Sequence, residues 1–403
     1  MHDHVGSGIT GSDLDDVWTS TTVAEAAEDM RITYGISDRD LPDHQGVVRI
    51  GDIRDGRVRT DQPGRTGAAE PKDTRAALRA GDLVVVLVRR AGDAALVTEE
   101  HAGWIATRGV GIIRSEDSHV TRWLRIWFRT PRAQAWIGQH VDAHVEPTLS
   151  LDALRRMPVL LPPPARIDRL DDVVGLIEAR MELNLRIAAD AVQLADAQHA
   201  ALARHRAWWP LRPFGAVTRA ATGRAAPKAA GEDDGPRVTR VAPGDILDAR
   251  LPYIAATGQE GPAEPRTVCD SGTILIATRP GGGHAAVTLR PTAPGRGVVA
   301  IHPQAPTDLW WLLHELRSRG EELSGAAQGR HAREITARAF SKLDVAWPDE
   351  DTRRRFDRVA EPLHGRARKA VEENRVLREL LGTLLRGLSS GSGRVSLGGP
   401  GAP

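Results

Sequence analysis

Between Ile167 and Leu202, apolar and small residues return every three or four positions: Ile167, Leu170, Val174, Ile177, Met181, Asn184, Ala188, Ala191, Ala195, Gln198 and Leu202. The mean step is about 3.5 residues, and a stripe of that period requires a partner helix packed along its whole length. The same chain supplies one. Phe356, Ala360, Leu363, Ala367, Ala370, Asn374, Leu377, Leu381, Leu384 and Leu388 follow the same steps. Each stripe has one Asn near its middle, Asn184 and Asn374. A lone buried amide lowers stability but fixes register, because only one alignment satisfies its hydrogen bonds. Two unrelated amphipathic helices are the plainer alternative; the matched length and the matched Asn favour a pair.

The rest of the chain must be arranged around that pair. At 403 residues it exceeds one ordinary domain and fits two or three. A net charge of +1 gives no overall basic field, so any nucleic-acid contact has to come from local patches. The single cysteine, Cys269, excludes a disulfide framework and suits a reducing, cytoplasmic setting. No apolar run approaches the roughly 18 residues of a membrane span and no signal peptide opens the chain, so no membrane partner is expected.

Read in order, residues 1–16 are rich in Gly, Ser, Asp and His and are expected to be disordered. Thr21 to Met30 reads as a short helix and Tyr34 to Ser37 as a loop. Strands are expected at Val47–Ile50 and, after the Asp55-Gly56 turn, near Val58. Leu83 to Val88 reads as a fully buried strand, followed by strands at Trp104–Thr107 and Gly111–Arg114. Thr121 to Gln139 reads as one helix. Its Trp123, Ile126, Trp127 and Trp136 fall at the spacing of a packed core face rather than of a stacking platform. Pro162-Pro163-Pro164 is a stiff lead into the first long helix.

After that helix, 215–236 reads as a flexible loop, and then the order of elements recurs. Strands are expected at Ile254–Ala256, Ser271–Ala277 and Val298–Ile301, a helix at Asp308–Arg319, and an extended lead at Val345–Pro348. Matched positions keep an offset near 186 to 190: Trp123 with Trp311, Pro162 with Pro348, Asn184 with Asn374. A tandem duplication accounts for this. The expected class is α+β: two tandem mixed α/β domains joined by two long antiparallel coiled-coil helices with pseudo-twofold symmetry. The expected bounds are 17–164 for the first domain, 165–206 for the first helix, 207–348 for the second domain and 349–391 for the second helix, with a disordered tail at 392–403. Pro362 should kink or interrupt the second helix. About 36 helical residues would span roughly 54 Å, about one and a half turns of duplex DNA at ~34 Å per turn.

At this point the sequence resembles a family, the specificity subunits of type I restriction-modification systems. The resemblance rests on Val48-Arg49-Ile50-Gly51-Asp52-Ile53-Arg54-Asp55-Gly56, on Gly81-Asp82-Leu83-Val84 and on Pro162-Pro163-Pro164. It rests too on Gln328-Gly329 with Ile335-Thr336, and on Leu384-Leu385-Arg386-Gly387-Leu388-Ser389-Ser390-Gly391. Asp349-Glu350-Asp351 and Pro362 depart from the family pattern. The resemblance implies a non-catalytic subunit of a phage-defence system whose two target-recognition domains each read half of a split DNA target. It implies double-stranded DNA, two DNA adenine methyltransferase subunits and restriction/translocase subunits as partners, and no cofactor.

DNA readers need Arg, Lys, Asn or Gln at loop tips, with further cations on phosphates. The candidates are Arg49, Arg54, Arg57, Arg59, Lys72, Arg89 and Arg90 in the first domain. In the second they are Arg250, Arg279, His284, Arg290 and Arg296, with Gly281-Gly282-Gly283 allowing close backbone approach. The plainer reading of each is a solvated Arg in an Arg-rich sequence. His140 and His144 have a metal-ligand spacing, but no Glu follows the first, and they read as surface histidines. There is no phosphate loop, no Asn-Pro-Pro-Tyr-like tetrapeptide and no glycine fingerprint, which leaves no catalytic or metal residue to name. Asp349 stands at a helix start, where an acid caps rather than cuts. The alternatives are a specificity-like component of another phage-defence system and a coiled-coil protein scaffold.

Overall fold

The computed structural model describes residues 18–37, 46–59, 75–142, 146–224, 237–255, 260–263, 267–279, 282–327 and 334–389. The ends expected to be disordered lie outside them. The chain divides into two compact units, 1–179 with 377–403, and 180–376.

In the first unit the strands are β1 (Thr19–Thr22), β2 (Arg31–Tyr34), β3 (Val47–Val48), β4 (Ile53–Arg54), β5 (Arg57–Val58), β6 (Leu83–Val86), β7 (Ala94–Leu96), β8 (Ile105–Ala106) and β9 (Val110–Arg114). Helices α1 (Ser118–Trp127) and α2 (Pro131–His140) follow. Then come the short strands β10 (Val141–Asp142) and β11 (Thr148–Leu149), helix α3 (Leu151–Arg156) and strand β12 (Pro158–Leu161), which leads into α4 (Pro164–Ala203). Six strands form a sheet in the order β2-β9-β6-β7-β5-β4, antiparallel except for β5 against β7. β3 and β8 pair in parallel beside it, and β1 pairs with β12. Branched apolar residues fill β6, and all four are buried.

The second unit repeats this plan. Its strands are β13 (Leu211–Pro213), β14 (Thr218–Thr222), β15 (Arg237–Val241), β16 (Tyr253–Ile254), β17 (Glu260–Pro262), β18 (Ile274–Arg279), β19 (Gly282–Thr288), β20 (Thr292–Pro294), β21 (Val298–Pro303) and β22 (Asp344–Ala346). Its helices are α5 (Phe214–Val217), α6 (Pro243–Leu247), α7 (Leu309–Ser318), α8 (Gly320–Gly325), α9 (Ala337–Ser341) and the long α10 (Glu350–Ser389). The sheet order is β14-β21-β18-β19-β16, again with one parallel pair at the same edge, β16 with β19. β15 and β20 pair in parallel as β3 and β8 do, and β13 with β22 repeats β1 with β12. Every main strand of the first sheet except β4 thus has a counterpart with the same neighbours, which is what a duplicated sequence should build.

Several local expectations are corrected. Thr21–Met30 is a strand and a 3-10 turn, and Tyr34 ends a strand, because β1 and β2 gain partners that a local reading does not see: β12 and β9. The single helix expected over 121–139 is two. Pro131 starts α2, and the Thr130 side chain accepts from the Ala133 amide as its cap. Phe214 to Thr222 is structured, with Phe214 and Val217 buried. No break occurs in α10 at Pro362. Pro362 is exposed, while Ala360, His364 and Ala367 on either side of it are buried and hold the flanking turns. At its start the Asp349 carboxylate accepts from the Thr352 amide at 2.7 Å, which lowers its pKa and confirms a cap.

Within the second unit α4 and α10 run antiparallel. Asn184 Nδ2 donates to Asn374 Oδ1 at 3.0 Å, and Asn374 Nδ2 donates to the Met181 carbonyl at 2.9 Å. Arg180 donates to Glu373 from Nε at 2.6 Å and from Nη2 at 3.0 Å. Past the Asn pair, Ala188, Ala191 and Val192 pack with Ala367 and Ala370. Small residues on both sides let the backbones come close.

A buried polar chain ties β16 and α7 to both helices. Tyr253 Oη lies 2.6 Å from His364 Nδ1, the two imidazole Nε2 atoms of His364 and His314 lie 2.8 Å apart, and His314 Nδ1 lies 2.6 Å from Asp196 Oδ1. A carboxylate only accepts, so His314 carries its proton on Nδ1. His364 then donates from Nε2, and Tyr253 donates to His364 Nδ1. Both imidazoles are neutral. Burial raises the Asp196 carboxyl, but the bonds from His314 and Arg317 outweigh it and hold it well below the usual range. Burial, His314 and the guanidinium groups of Arg368 and Arg317 press His364 down to about 3, against only a weak opposing pull from Asp196. No helix among the described residues is long and apolar enough to cross a membrane.

Two outcomes follow from these polar contacts. Asn184→Leu and Asn374→Leu should each destabilise the full chain by about 1–3 kcal/mol, since each leaves a buried amide unpaired. Together they should recover most of the loss, a non-additivity measurable by urea unfolding; additive losses would remove the coupling. For His364, the unfolded chain, with an ordinary pKa of 6.5, takes up the proton before the folded one. Its contribution is complete above pH 6.5 and is lost as pH falls toward 3. At roughly 1.4 kcal/mol per unit, unfolding measured at pH 7.5 and 4.5 should show a loss of a few kcal/mol that shrinks in His364→Gln.

Candidate nucleic-acid interface

Strands β4 and β5 form a two-residue hairpin. Asp55 and Gly56 both take positive φ, 53° and 76°, the turn whose twist matches that of the strands it joins. Arg54 and Arg57 face each other across the pair and so project from one face. Arg54 is exposed and Arg57 half-buried.

Ile53 anchors this hairpin in the apolar core, and beneath its tip lies a buried ion network. A side chain at Gly56 would lie 3.3 to 3.4 Å from the Arg125 and Arg129 guanidinium groups and from Glu178 Oε1. Arg125 donates to Glu178 at 2.6 Å and to Asp171 at 2.8 Å, Arg129 also binds Glu178, and Arg122 meets Asp168 at 2.8 Å. Burial alone would lower the Arg125 pKa, but the two carboxylates raise it, so the cation stays charged. Steps of three and four on α1 thereby meet a similar ladder on α4. Trp123 and Trp127, also on α1, are fully buried and donate their indole N–H groups to the carbonyls of Leu160 and Pro158. They are core, as their spacing implies.

Beside the hairpin, Arg90 donates to the carbonyls of Ile50 at 2.8 Å and Ile53 at 3.3 Å and pairs with Asp93 at 2.8 Å. It ties the β6–β7 link to the loop before β4 and is a structural cation more than a free one. Arg89, at φ 64°, projects into solvent and meets Glu146. With Arg49 and Arg108 it lines a groove that Ser37 and Glu146 also border. Arg59 is half-buried, and Lys72 lies outside the described residues. Arg108 is absent from the sequence-based candidates. Its signal was its place between two strands, in Thr107-Arg108-Gly109, and its relevance depends on β3 pairing with β8.

The second unit gathers its candidates less tightly. Arg279 stands opposite Gly282 at the end of the β18–β19 hairpin, the counterpart of the link that carries Arg89. Gly281 and the side chain of Arg279 are outside what is described. Arg296 is exposed on the turn from β20 to β21, the counterpart of the turn from β8 to β9 that carries Arg108. His284 borders a cleft with Asp196, Arg204 and Arg317, whereas Arg290 borders a different one against α10. Arg250 is exposed in the loop before β16. His140 stacks on Trp136 at 3.7 Å; His144 lies outside the described residues. No group of three or more His, Cys, Asp or Glu among the described residues could hold a metal ion.

The Glu178 network makes a direct prediction. Glu178→Ala strands Arg129 and leaves Arg125 with Asp171 alone. Loss of a buried partner costs about 3 kcal/mol or more. Urea unfolding should show that loss, and amide exchange should quicken in the 53–58 hairpin; unchanged exchange there would mean that the network does not seat it.

No protein-family model matches the sequence, and no curated protein matches it. Solved structures do. The type I restriction-modification system S subunit from M. genitalium is 12% identical, over 94% of this chain and 97% of that one, with a TM-score of 0.55. At that identity the likeness is one of fold, and it spans nearly the whole of both chains. The HsdS subunit from Thermoanaerobacter tengcongensis aligns over 93% and 97% at 18% identity and TM-score 0.35. A chain from a structure of the type I R-M system aligns over 93% and 98% at 18% identity and TM-score 0.38. Those two scores are too low to bear on the fold.

Proposed function

We propose that this chain is a non-catalytic, sequence-specific DNA-binding subunit of a type I restriction-modification system, working in the cytoplasm. One observation carries the reading. The same fold occurs twice, and in both copies the same two places carry an arginine: Arg89 in the link between the central antiparallel strands and Arg279 at the strand end that enters it, Arg108 and Arg296 on the turn into the next strand. Turns and strand ends carry recognition, while the sheet behind them stays constant. The fold shared with the M. genitalium S subunit supports the assignment.

In this reading each domain reads one part of a bipartite target. The long helices set the gap between the parts and offer the surface on which two DNA adenine methyltransferase subunits dock, with restriction and translocase subunits joining them. The chemistry belongs to those partners; this chain supplies address and spacing. In the first domain the groove of Arg49, Arg89 and Arg108, with the Arg54–Arg57 hairpin near it, makes the base and backbone contacts, and Arg90 holds the loops that present them.

Methylated adenines mapped in cells carrying the intact system test this. The expected result is a two-part motif with a fixed gap. A chain carrying Arg49→Ala, Arg89→Ala and Arg108→Ala should relax one part and leave the other intact, at about 1–3 kcal/mol per lost base contact. A continuous motif, or equal loss of both parts, would overturn the reading.

A further inference from the structure

The second unit has a cationic trough that the reading loops do not account for. Its floor is one face of α10, with Gly365, Arg366, Arg368 and Lys369, and Arg290 closes it from the opposite side. Two carboxylates, Glu361 and Glu372, also border it, against four cations. Arg290 is held by Glu372 at 3.2 Å, and Arg368 by Glu361 at 2.6 Å, with Arg368 lying over the Trp310 ring. The carboxylates are therefore already engaged. Arg366 and Lys369 are exposed, one turn apart on the same face, and enter no ion pair among the described residues. At Gly365, beside Arg366, a side chain would meet nothing within 4 Å, so the floor there is open.

The first copy of the fold does not carry these cations. Counting from Asn184 and Asn374, Gly365 corresponds to Gly175, but Arg366 corresponds to Leu176, Arg368 to Glu178 and Lys369 to Ala179. The glycine is common to both copies and the positive charge is not. In the first copy the Glu178 position is used internally, to hold Arg125 and Arg129. Exposed Arg and Lys side chains placed a helical turn apart along an open trough suit a row of anions rather than one enclosed anion.

We infer that this trough binds backbone phosphates of duplex DNA, so that the second domain holds its half of the target through α10 as well as through its loops. This rests on the DNA-binding reading above. It makes the two halves unequal: the second contributes affinity that is indifferent to sequence, and the first has no counterpart for it.

The test uses the full chain and a random-sequence 40-bp duplex, with binding followed by fluorescence anisotropy from 50 to 200 mM salt. Each phosphate contact adds about 0.9 to the slope of log affinity against log salt. Arg366→Ala with Lys369→Ala should lower that slope by about 1.8 and so reduce the loss of affinity across this range by roughly tenfold. Arg354→Ala with Arg355→Ala removes the same charge from the same helix outside the trough and should leave the slope unchanged. Equal changes in both variants, or none in the first, overturn the trough while the DNA reading stands. No binding by the unaltered chain at any salt overturns that reading and the trough with it.

Discussion

The second unit depends on two helix backbones coming close enough for side-chain amides to meet across them. Asn184 and Asn374 do so only because the next turns carry Ala188, Ala191, Ala367 and Ala370 in place of larger residues. An alanine seam alone tolerates sliding, since one small residue resembles another. The amide pair, with Asn374 also bound to the Met181 carbonyl, does not tolerate it. Small residues supply proximity and the amides supply register.

Register in turn positions the domain that grows from these helices. Asp196 and His364 are offered by α4 and α10, and His314 and Tyr253 by the globular part. Slippage by one residue along either helix would break that chain of hydrogen bonds and bury unpaired groups. The first unit uses a different chemistry for the same purpose, with Arg122, Arg125 and Arg129 on α1 matched to Asp168, Asp171 and Glu178 on α4. Duplicated folds thus keep their helix attachments in place while the attaching groups diverge, one copy using a ladder of ion pairs and the other adding imidazoles to them.

How much of this was legible beforehand follows from range along the chain. Period 3.5, one Asn per stripe and a constant offset are local or self-comparing signals, and they revealed the helices, the pairing and the duplication. Buried strands rich in branched residues, such as Leu83–Val86, were equally plain. Thr19–Thr22 was not, since a short strand of small polar residues acquires its character from Pro158–Leu161, nearly 140 positions later. The His314–Asp196 contact joins positions 118 apart, and nothing at either end announces the other. Arg108 escaped for the same reason. Arg90 stands in an exposed-looking Arg-Arg pair, which carries no sign of its attachment to the Ile50 and Ile53 carbonyls.

The Asp55–Gly56 hairpin has a further consequence. Its tip lies over ions, since a side chain at Gly56 would come within 3.4 Å of Arg125, Arg129 and Glu178, while Ile53 and Val58 anchor its strands in the apolar core. Arg54 stands exposed on that hairpin, while Ile53 beside it enters the core. A lineage could therefore exchange its lettering at Arg54 with the core and the ions beneath left as they are, which makes the tip a place where new specificities can be tried at little structural risk.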